Sequence, residues 1–334
     1  MTSEAKAFEP PEASDQRTSR YAYLTDREWF LGPLMLLPAV VYIVALVGFP
    51  LVLAITYAFS DVTVGDQSVD WVGFDNFEAV WDNNVFQTSL RNSLIFTVVT
   101  ILLVMVLANI LALVLSVDFP GKWFARFLIL LPWTTPIALG AVGWLWILDS
   151  ILSPIDWTLR EFGLFTPTQD ALAFFGLIPE PTGFERNLFY LGQENLARAS
   201  VILVQVWRML PLATVILLAG LTAIPQDIND QAAVDGAGFW RRLFEIRLPL
   251  LMPILMVALL FSIVFVITDM TVVYVLTRGG PPPGATQVLP SWAYFTGIEG
   301  GSLAQGAAIA LFLFPVLLGV AVLMLRLARR SEVL

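Results

Sequence analysis

The chain of 334 residues is 57% hydrophobic and only 13% charged, which is too apolar for an ordinary soluble domain and defines an integral membrane protein. Cysteine and histidine are both absent, so a disulfide framework and the histidine-based catalytic triads are excluded, and no zinc or haem site is expected. The formal charge of -9 decides little, because the acids crowd into particular connections.

Residues 1–28 mix Glu4, Glu9, Glu12, Asp15, Lys6, Arg17 and Arg20 with Pro10 and Pro11, without apolar periodicity, and are expected to form a disordered tail. The first apolar run starts too late and runs too long for a cleaved signal peptide, so it is expected to remain as a span. A hydrocarbon layer of about 30 Å needs roughly 20 apolar helical residues. That criterion picks out six spans near 29–59, 93–117, 127–148, 200–224, 254–276 and 303–327, within a membrane domain of 29–327 followed by a short terminus at 328–334. Pro33, Pro38 and Pro50 can kink or end the first span, Pro132 and Pro136 lie in the third, and Pro211 is expected to break the fourth.

Basic residues fall on one side of this arrangement: Lys6, Arg17, Arg20 and Arg27 in the tail, Lys122 and Arg126, then Arg241, Arg242 and Arg247, and finally Arg326, Arg329 and Arg330. By the positive-inside rule both termini and the 225–253 connection should be cytoplasmic. The long segment 149–199 is rich in proline and aromatic residues (Pro154, Trp157, Phe162, Phe165, Pro167, Phe174, Phe175, Pro179, Pro181) and reads as an interfacial or partly re-entrant external element. Residues 277–284 (TRGGPPPG) are backbone breakers and cannot be helix; Trp292, Tyr294 and Phe295 beyond them suggest a second interfacial segment.

The polar stretch 225–253 (PQDINDQAAVDGAGFWRRLFEIRLPLLMP) stands out between apolar segments. It reads as an elbow of two short helices. Asp227 sits in a favourable first turn, Gly236 and Gly238 free the backbone to turn, and a second helix runs over Phe239–Ile246 before Pro249 and Pro253 mark re-entry into the fifth span. Such an elbow suits docking into a partner groove, and equally suits an amphipathic helix resting on an anionic inner leaflet. No phosphate-binding GxxxxGK[ST], dinucleotide-binding glycine pattern or HExxH occurs, and no carboxylate pair on a common catalytic face is evident.

The order Asp230-Gln231-Ala232-Ala233-Val234-Asp235-Gly236-Ala237, followed by Ile246-Arg247-Leu248-Pro249 and Pro253, resembles the EAA cytoplasmic loop of permease subunits of binding-protein-dependent ABC importers. Asp230 stands where that family usually has Glu, and Gln231 replaces the first Ala. Val206-Trp207-Arg208-Met209-Leu210-Pro211 and Tyr274-Val275-Leu276-Thr277-Arg278-Gly279-Gly280-Pro281 resemble the carbohydrate branch, in the subunit like the larger maltose permease and the glycerol-3-phosphate permease; Arg278 in place of Gly and Thr271 in place of Asp are departures. The resemblance implies an all-α, six-helix bundle of the type I importer permease kind in a bacterial or archaeal plasma membrane. It implies a non-enzymatic subunit that encloses the pathway for a sugar or related polyol together with a second permease, served by two ATPase subunits and an external solute-binding protein. ATP and magnesium would then belong to the ATPase, and no nucleic acid is involved. The residues carried over for ATPase coupling are Asp230, Ala232, Ala233, Asp235, Gly236, Ala237, Leu248 and Pro249.

Arg208 in the fourth span and Asp269 in the fifth each cost roughly 2.5 to 3.5 kcal/mol on insertion scales, so both should face protein and each is the other's obvious partner. They line the pathway or its gate, or else form a structural pair or snorkel outward. Asn109 and Thr100 in the second span suit helix–helix hydrogen bonds. Two other classes remain open on the residues alone: a secondary transporter or channel working without an ATPase, and a membrane scaffold that recruits cytoplasmic proteins through the elbow.

Overall fold

The computed structural model describes residues 28–66, 68–178 and 187–331, with the side chains of 28–30 and 328–331 outside the description. The expected tail with its four basic residues, together with Pro179, Pro181, Arg186 and the terminal 332–334, lies outside the described residues, as do the side chains of Arg329 and Arg330. Two compact units divide at Leu53. The first holds α1 (Glu28–Ile43), a π-helical turn, Val44–Gly48, and the start of α2 (Phe49–Ala58), which crosses the division. Pro33 and Pro38 sit inside α1 without ending it. Pro50 is accommodated by the widened turn before it, where the Phe49 N–H reaches back to Val44 O and the crowding of a proline ring on the carbonyl four residues earlier is relieved.

The second unit is all-helical among the described residues: α3 (Asp75–Trp81), α4 (Asn84–Ser116), α5 (Lys122–Thr134), α6 (Ile137–Ile147), α7 (Pro154–Glu161), α8 (Phe165–Phe174), α9 (Glu194–Ala223), α10 (Gln226–Val234), α11 (Phe239–Arg241), α12 (Leu248–Ile267), α13 (Thr271–Leu276), α14 (Leu289–Tyr294), α15 (Leu303–Leu311) and α16 (Leu313–Ser331). Five described helical stretches are long and apolar enough to cross a membrane, and six if α5 and α6 count as one. The centre is the pair α4 and α9, with α12 packed on both. Val104, Ala108 and Ala112 recur every four residues on α4 and meet Met209, Ala213 and Leu217 of α9 and Ala258 of α12. Lipid tails are as apolar as these side chains, so close packing over small residues holds the helices together. Gly220 carries the same logic to the elbow end, since a Cβ there would lie 2.8 Å from both Leu251 and Ile254.

Three expected spans come out differently. The third is two helices, α5 and α6, set at 99°. Thr135 is extended (ψ 130°) ahead of Pro136, as a residue before proline prefers, and Pro136 has no N–H with which to continue α5. The fourth is not broken at Pro211: α9 runs through it without interruption, and that proline is buried; such prolines are tolerated in spanning helices where their surroundings re-satisfy the freed backbone groups. The fifth is joined to the elbow's second helix, because α11, a π-turn over Arg242–Arg247 and α12 are continuous; its break falls instead at Thr268–Met270, before α13.

The breaker segment 277–288 is a tightly held turn, with Arg278, Gly279 and Gly284 at φ 49°, 87° and 86°. Its carbonyls are satisfied from α4: the buried Asn92 amide donates to Gly284 O, Ala285 O and Gln287 O at 2.9 to 3.1 Å, and Ser93 Oγ accepts from Leu289 N at 2.9 Å. Asn92→Ala is expected to remove the amide from Gly284 O and Gln287 O, leaving Ala285 O with Arg198 Nε at 3.0 Å, and to lower stability by about 1 to 3 kcal/mol. Thermal unfolding in detergent checks this, and an unchanged midpoint would show that the amide does not hold the turn.

Candidate functional site

The elbow begins at α10, with Pro225 as its N-cap and Asp227 in its first turn. Its C-terminus closes as a Schellman motif: Ala237 N donates to Ala232 O at 2.9 Å and Gly236 N to Ala233 O at 3.1 Å, while Gly236 takes φ 73°. This assigns a physical role to each letter of the motif. Gly236 supplies the left-handed residue. Ala232 and Ala237 are the two buried positions that meet across the turn and must be small. Asp235 is the C-cap, its N–H bonded to Gln231 O, and its side chain is exposed.

Asp230, Ala233 and Val234 face outward, Val234 with 87% of its surface open. The Asp230 carboxylate has no ion-pair or hydrogen-bond partner among the described residues. Arg247 Nε donates to Asn229 Oδ1 at 3.1 Å and ties the elbow's two arms together, a contact 18 residues apart that no sequence signal announced. Leu248 and Pro249 begin α12. The π-turn before them meets the steric demand of Pro249 as the earlier one meets that of Pro50, with the Leu248 N–H bonded to Leu243 O.

The continuous helix that starts in the elbow ends at the break carrying Asp269. There Arg208 Nη1 lies 3.0 Å from Asp269 Oδ1, with side-chain exposures of 17% and 6%. Gln205 Nε2 donates to Asp269 Oδ2 at 2.7 Å, and Val272 N reaches the same oxygen at 3.2 Å, so the carboxylate also caps α13. The Arg208–Asp269 contact is an ion pair without hydrogen-bond alignment, and Gln205 Oε1 stays buried without a partner. The expected partnership of Arg208 and Asp269 is therefore geometric fact, and the sequence missed the backbone cap. Asn109 lies half-buried, and Thr100 is fully buried with its hydroxyl unpartnered. No group of three potential metal ligands occurs among the described residues.

Bundled helices long and apolar enough to cross a membrane, a break bearing a buried ion pair and a helical elbow at one end define a polytopic all-α membrane protein. Residues 105–333 match the family model described as binding-protein-dependent transport system inner membrane component, and the chain belongs to that family. It is accordingly a permease subunit of a binding-protein-dependent ABC importer. It is 28% identical over 317 residues to the sulfoquinovosyl glycerol transport system permease protein SmoG of Agrobacterium fabrum, covering 95% of each chain. It is also 29% identical over 313 residues to the trehalose/maltose transport system permease protein MalF of Thermococcus litoralis, covering 93% of this chain and 97% of that one. A crystal structure of a bacterial ABC transporter that imports alginate shares the fold, with a TM-score of 0.71 at 21% identity over 92% of this chain and 97% of its own.

Arg208→Met should leave the Asp269 carboxylate buried without its countercharge and cost roughly 3 to 5 kcal/mol. The double variant Arg208→Met with Asp269→Leu should recover much of that loss. Unfolding midpoints of the two purified variants check this; a double variant no more stable than the single one would sink the pairing.

Proposed function

We propose that this permease carries a sugar or related polyol, enclosing the pathway with a second, homologous permease, and that its elbow docks on a cytoplasmic ATPase. Both termini and the elbow are cytoplasmic in this reading, as the distribution of Lys122, Arg126, Arg241, Arg242 and Arg247 supports. ATP and magnesium are handled by the ATPase subunits, and an external binding protein delivers the solute. The sugar assignment draws on SmoG and on the trehalose/maltose permease, whose names specify sugar-bearing solutes.

One observation carries the coupling: the helix from Phe239 to Ile267 is uninterrupted, about 43 Å at about 1.5 Å per residue, and joins the elbow to the Asp269 break. A push on the elbow is delivered along this rod to a point where a buried ion pair holds two spans together. The docking residues are the exposed Asp230, Ala233 and Asp235, presented by the turn that Ala232, Gly236 and Ala237 build, with Leu248 and Pro249 starting the rod. Arg208 and Asp269 stand at the pathway or its gate. The carboxylate of Asp230 is one methylene shorter than Glu and reaches the same kind of cationic groove from slightly further back.

The test uses the complex reconstituted with its co-purifying partners and radiolabelled maltose, trehalose and diacetylchitobiose as probes. Asp230→Lys, and Leu250→Gly with Val257→Gly on the exposed face of the rod, are expected to leave the subunit assembled but to lower ATP-dependent uptake sharply while ATP hydrolysis persists. Wild-type uptake by the double-glycine variant would remove the rod as transmitter. Recovery of the chain with no ATPase would favour a secondary transporter, and uptake of none of the probes would remove the support for a sugar.

A further inference from the structure

The helices α7 and α8, on the side of the bundle away from the elbow, are arranged inside out relative to a water-facing surface. Asp156 of α7 is only 5% exposed; its carboxylate accepts from Leu188 N at 3.0 Å and from Tyr190 Oη at 2.6 Å. Burial, and then the bond to Asp156, pushes the Tyr190 phenol well above its ordinary pKa, so it stays a donor. Arg160 lies with its guanidinium carbon 3.7 Å from the centre of the buried Phe165 ring and donates to Asn187 Oδ1 at 3.1 Å. Large apolar residues beside them are left open: Ile151 and Leu152 are 80% and 81% exposed, Trp157 67%, and Phe174 85%, the first three bordering a shallow cavity that Asp156 and Arg160 also line. Phe175, packed edge to face on Phe174, and Phe162 extend the same surface. Monomeric proteins rarely offer such a surface to water.

The uninterrupted helix α9 serves as a depth gauge. Counting from Ala223, where the polar elbow begins, Trp207 lies about 24 Å up the helix, Val201 about 33 Å and Leu196 about 40 Å, against a hydrocarbon layer of about 30 Å. Tilt shortens these heights and brings each residue deeper. Trp207 is gripped by α6, whose Trp144 ring stacks on it edge to face at 5.7 Å and whose Gly140 approaches it so closely that a Cβ would lie 3.3 Å from the indole. The wholly apolar α6 therefore runs within the far edge of the hydrocarbon layer. Ile155 and Leu159 of α7 and Leu172 of α8 pack on the cluster that contains Val201 and Leu196, a few ångströms higher. That is the headgroup level, where Trp and other amphipathic or aromatic groups settle.

We infer that α7 and α8 form a platform whose apolar face, Ile151, Leu152, Trp157, Phe162, Phe174 and Phe175, is seated in the phospholipid interface of the leaflet opposite the elbow. The surface follows directly on the membrane-embedded α6; Asp156 and Arg160 are engaged by protein groups, while Glu161 and Asp170 are exposed, as an element lying in the headgroup region rather than in hydrocarbon permits. In this way the bend at Thr135–Pro136 and the helices beyond it make one unit: α6 returns the chain along the membrane, and α7 and α8 moor it there. The inference rests on the membrane-spanning family fold and is independent of the solute.

The chain has no cysteine, so a single introduced cysteine is unique. Leu152→Cys, Trp157→Cys and Phe174→Cys would each be spin-labelled in the complex in phospholipid nanodiscs, with Asp82→Cys as a water-exposed reference. The expected result is that collisions with lipid-soluble oxygen exceed those with the water-soluble nickel chelate NiEDDA at all three positions, with the opposite order at position 82. Greater access to the nickel chelate would overturn the platform, and low access to both would show that a protein subunit covers this face, which overturns it equally. Because three exposed sites are read separately, one misfolded variant does not obscure the outcome. None of these results depends on which solute is carried.

Discussion

Backbone polar groups inside a bilayer must find partners without water, and most of the unusual features of this permease are answers to that one constraint. A proline removes a donor and crowds a carbonyl. The chain meets this with a π-turn placed just before Pro50 and another before Pro249, which keep the helix continuous while widening it locally. At Pro211 no such turn is used: α9 continues through the proline, which is buried. Where helix cannot continue at all, side chains step in. Asp269 caps α13 through Val272 N, and Asn92 satisfies three carbonyls of the 277–288 turn.

The elbow obeys different rules because it lies outside the apolar layer. Its shape comes from one left-handed glycine and two buried alanines, and on the proposed reading its exposed residues meet a partner. A Schellman closure needs little more than Gly236 and the two small contacts, so Gln231 in place of Ala leaves the fold of the turn intact. The aromatic run Phe239, Trp240 and Phe244 stacks on itself beside the first turns of the continuous helix, with Arg241 paired to Glu245 at 2.9 Å. The Glu245 carboxylate, by hydrogen bond and then by charge, raises the guanidinium pKa further.

The sequence exposed the elements that depend on composition and on local order. Long apolar runs located the helices, and the order around Asp235-Gly236-Ala237 identified the elbow because a Schellman turn is written in adjacent residues. Arg208 and Asp269 were legible as a pair because unpaired charge in lipid is so costly. What stayed hidden depends on contacts across distance. Nothing local distinguishes Pro211, which α9 runs through, from Pro136, which turns the chain, and Asn92 serves carbonyls 192 to 195 residues away. The break at Thr268–Met270 carries neither glycine nor proline, so no local signal marked it.

Arg278 shows how the far end of this helix is secured. The backbone here suits glycine: Arg278 sits at φ 49°, a region that costs a non-glycine residue about 1 to 2 kcal/mol. Its side chain offsets that cost by donating to both oxygens of Glu299 at 2.8 and 3.1 Å while lying over Tyr274 and Phe295 at 5.0 and 5.4 Å. The turn after α13 is thereby tied to the segment before α15, whose own crossing is fixed by the close approach of Gly297 and Gly306. The fifth span is then anchored at its far end by Arg278 and Asn92, carries the elbow at its near end, and is interrupted only at Asp269. On the proposed reading, a displacement entering at the elbow has one place to be absorbed, and that place is the ion pair with Arg208.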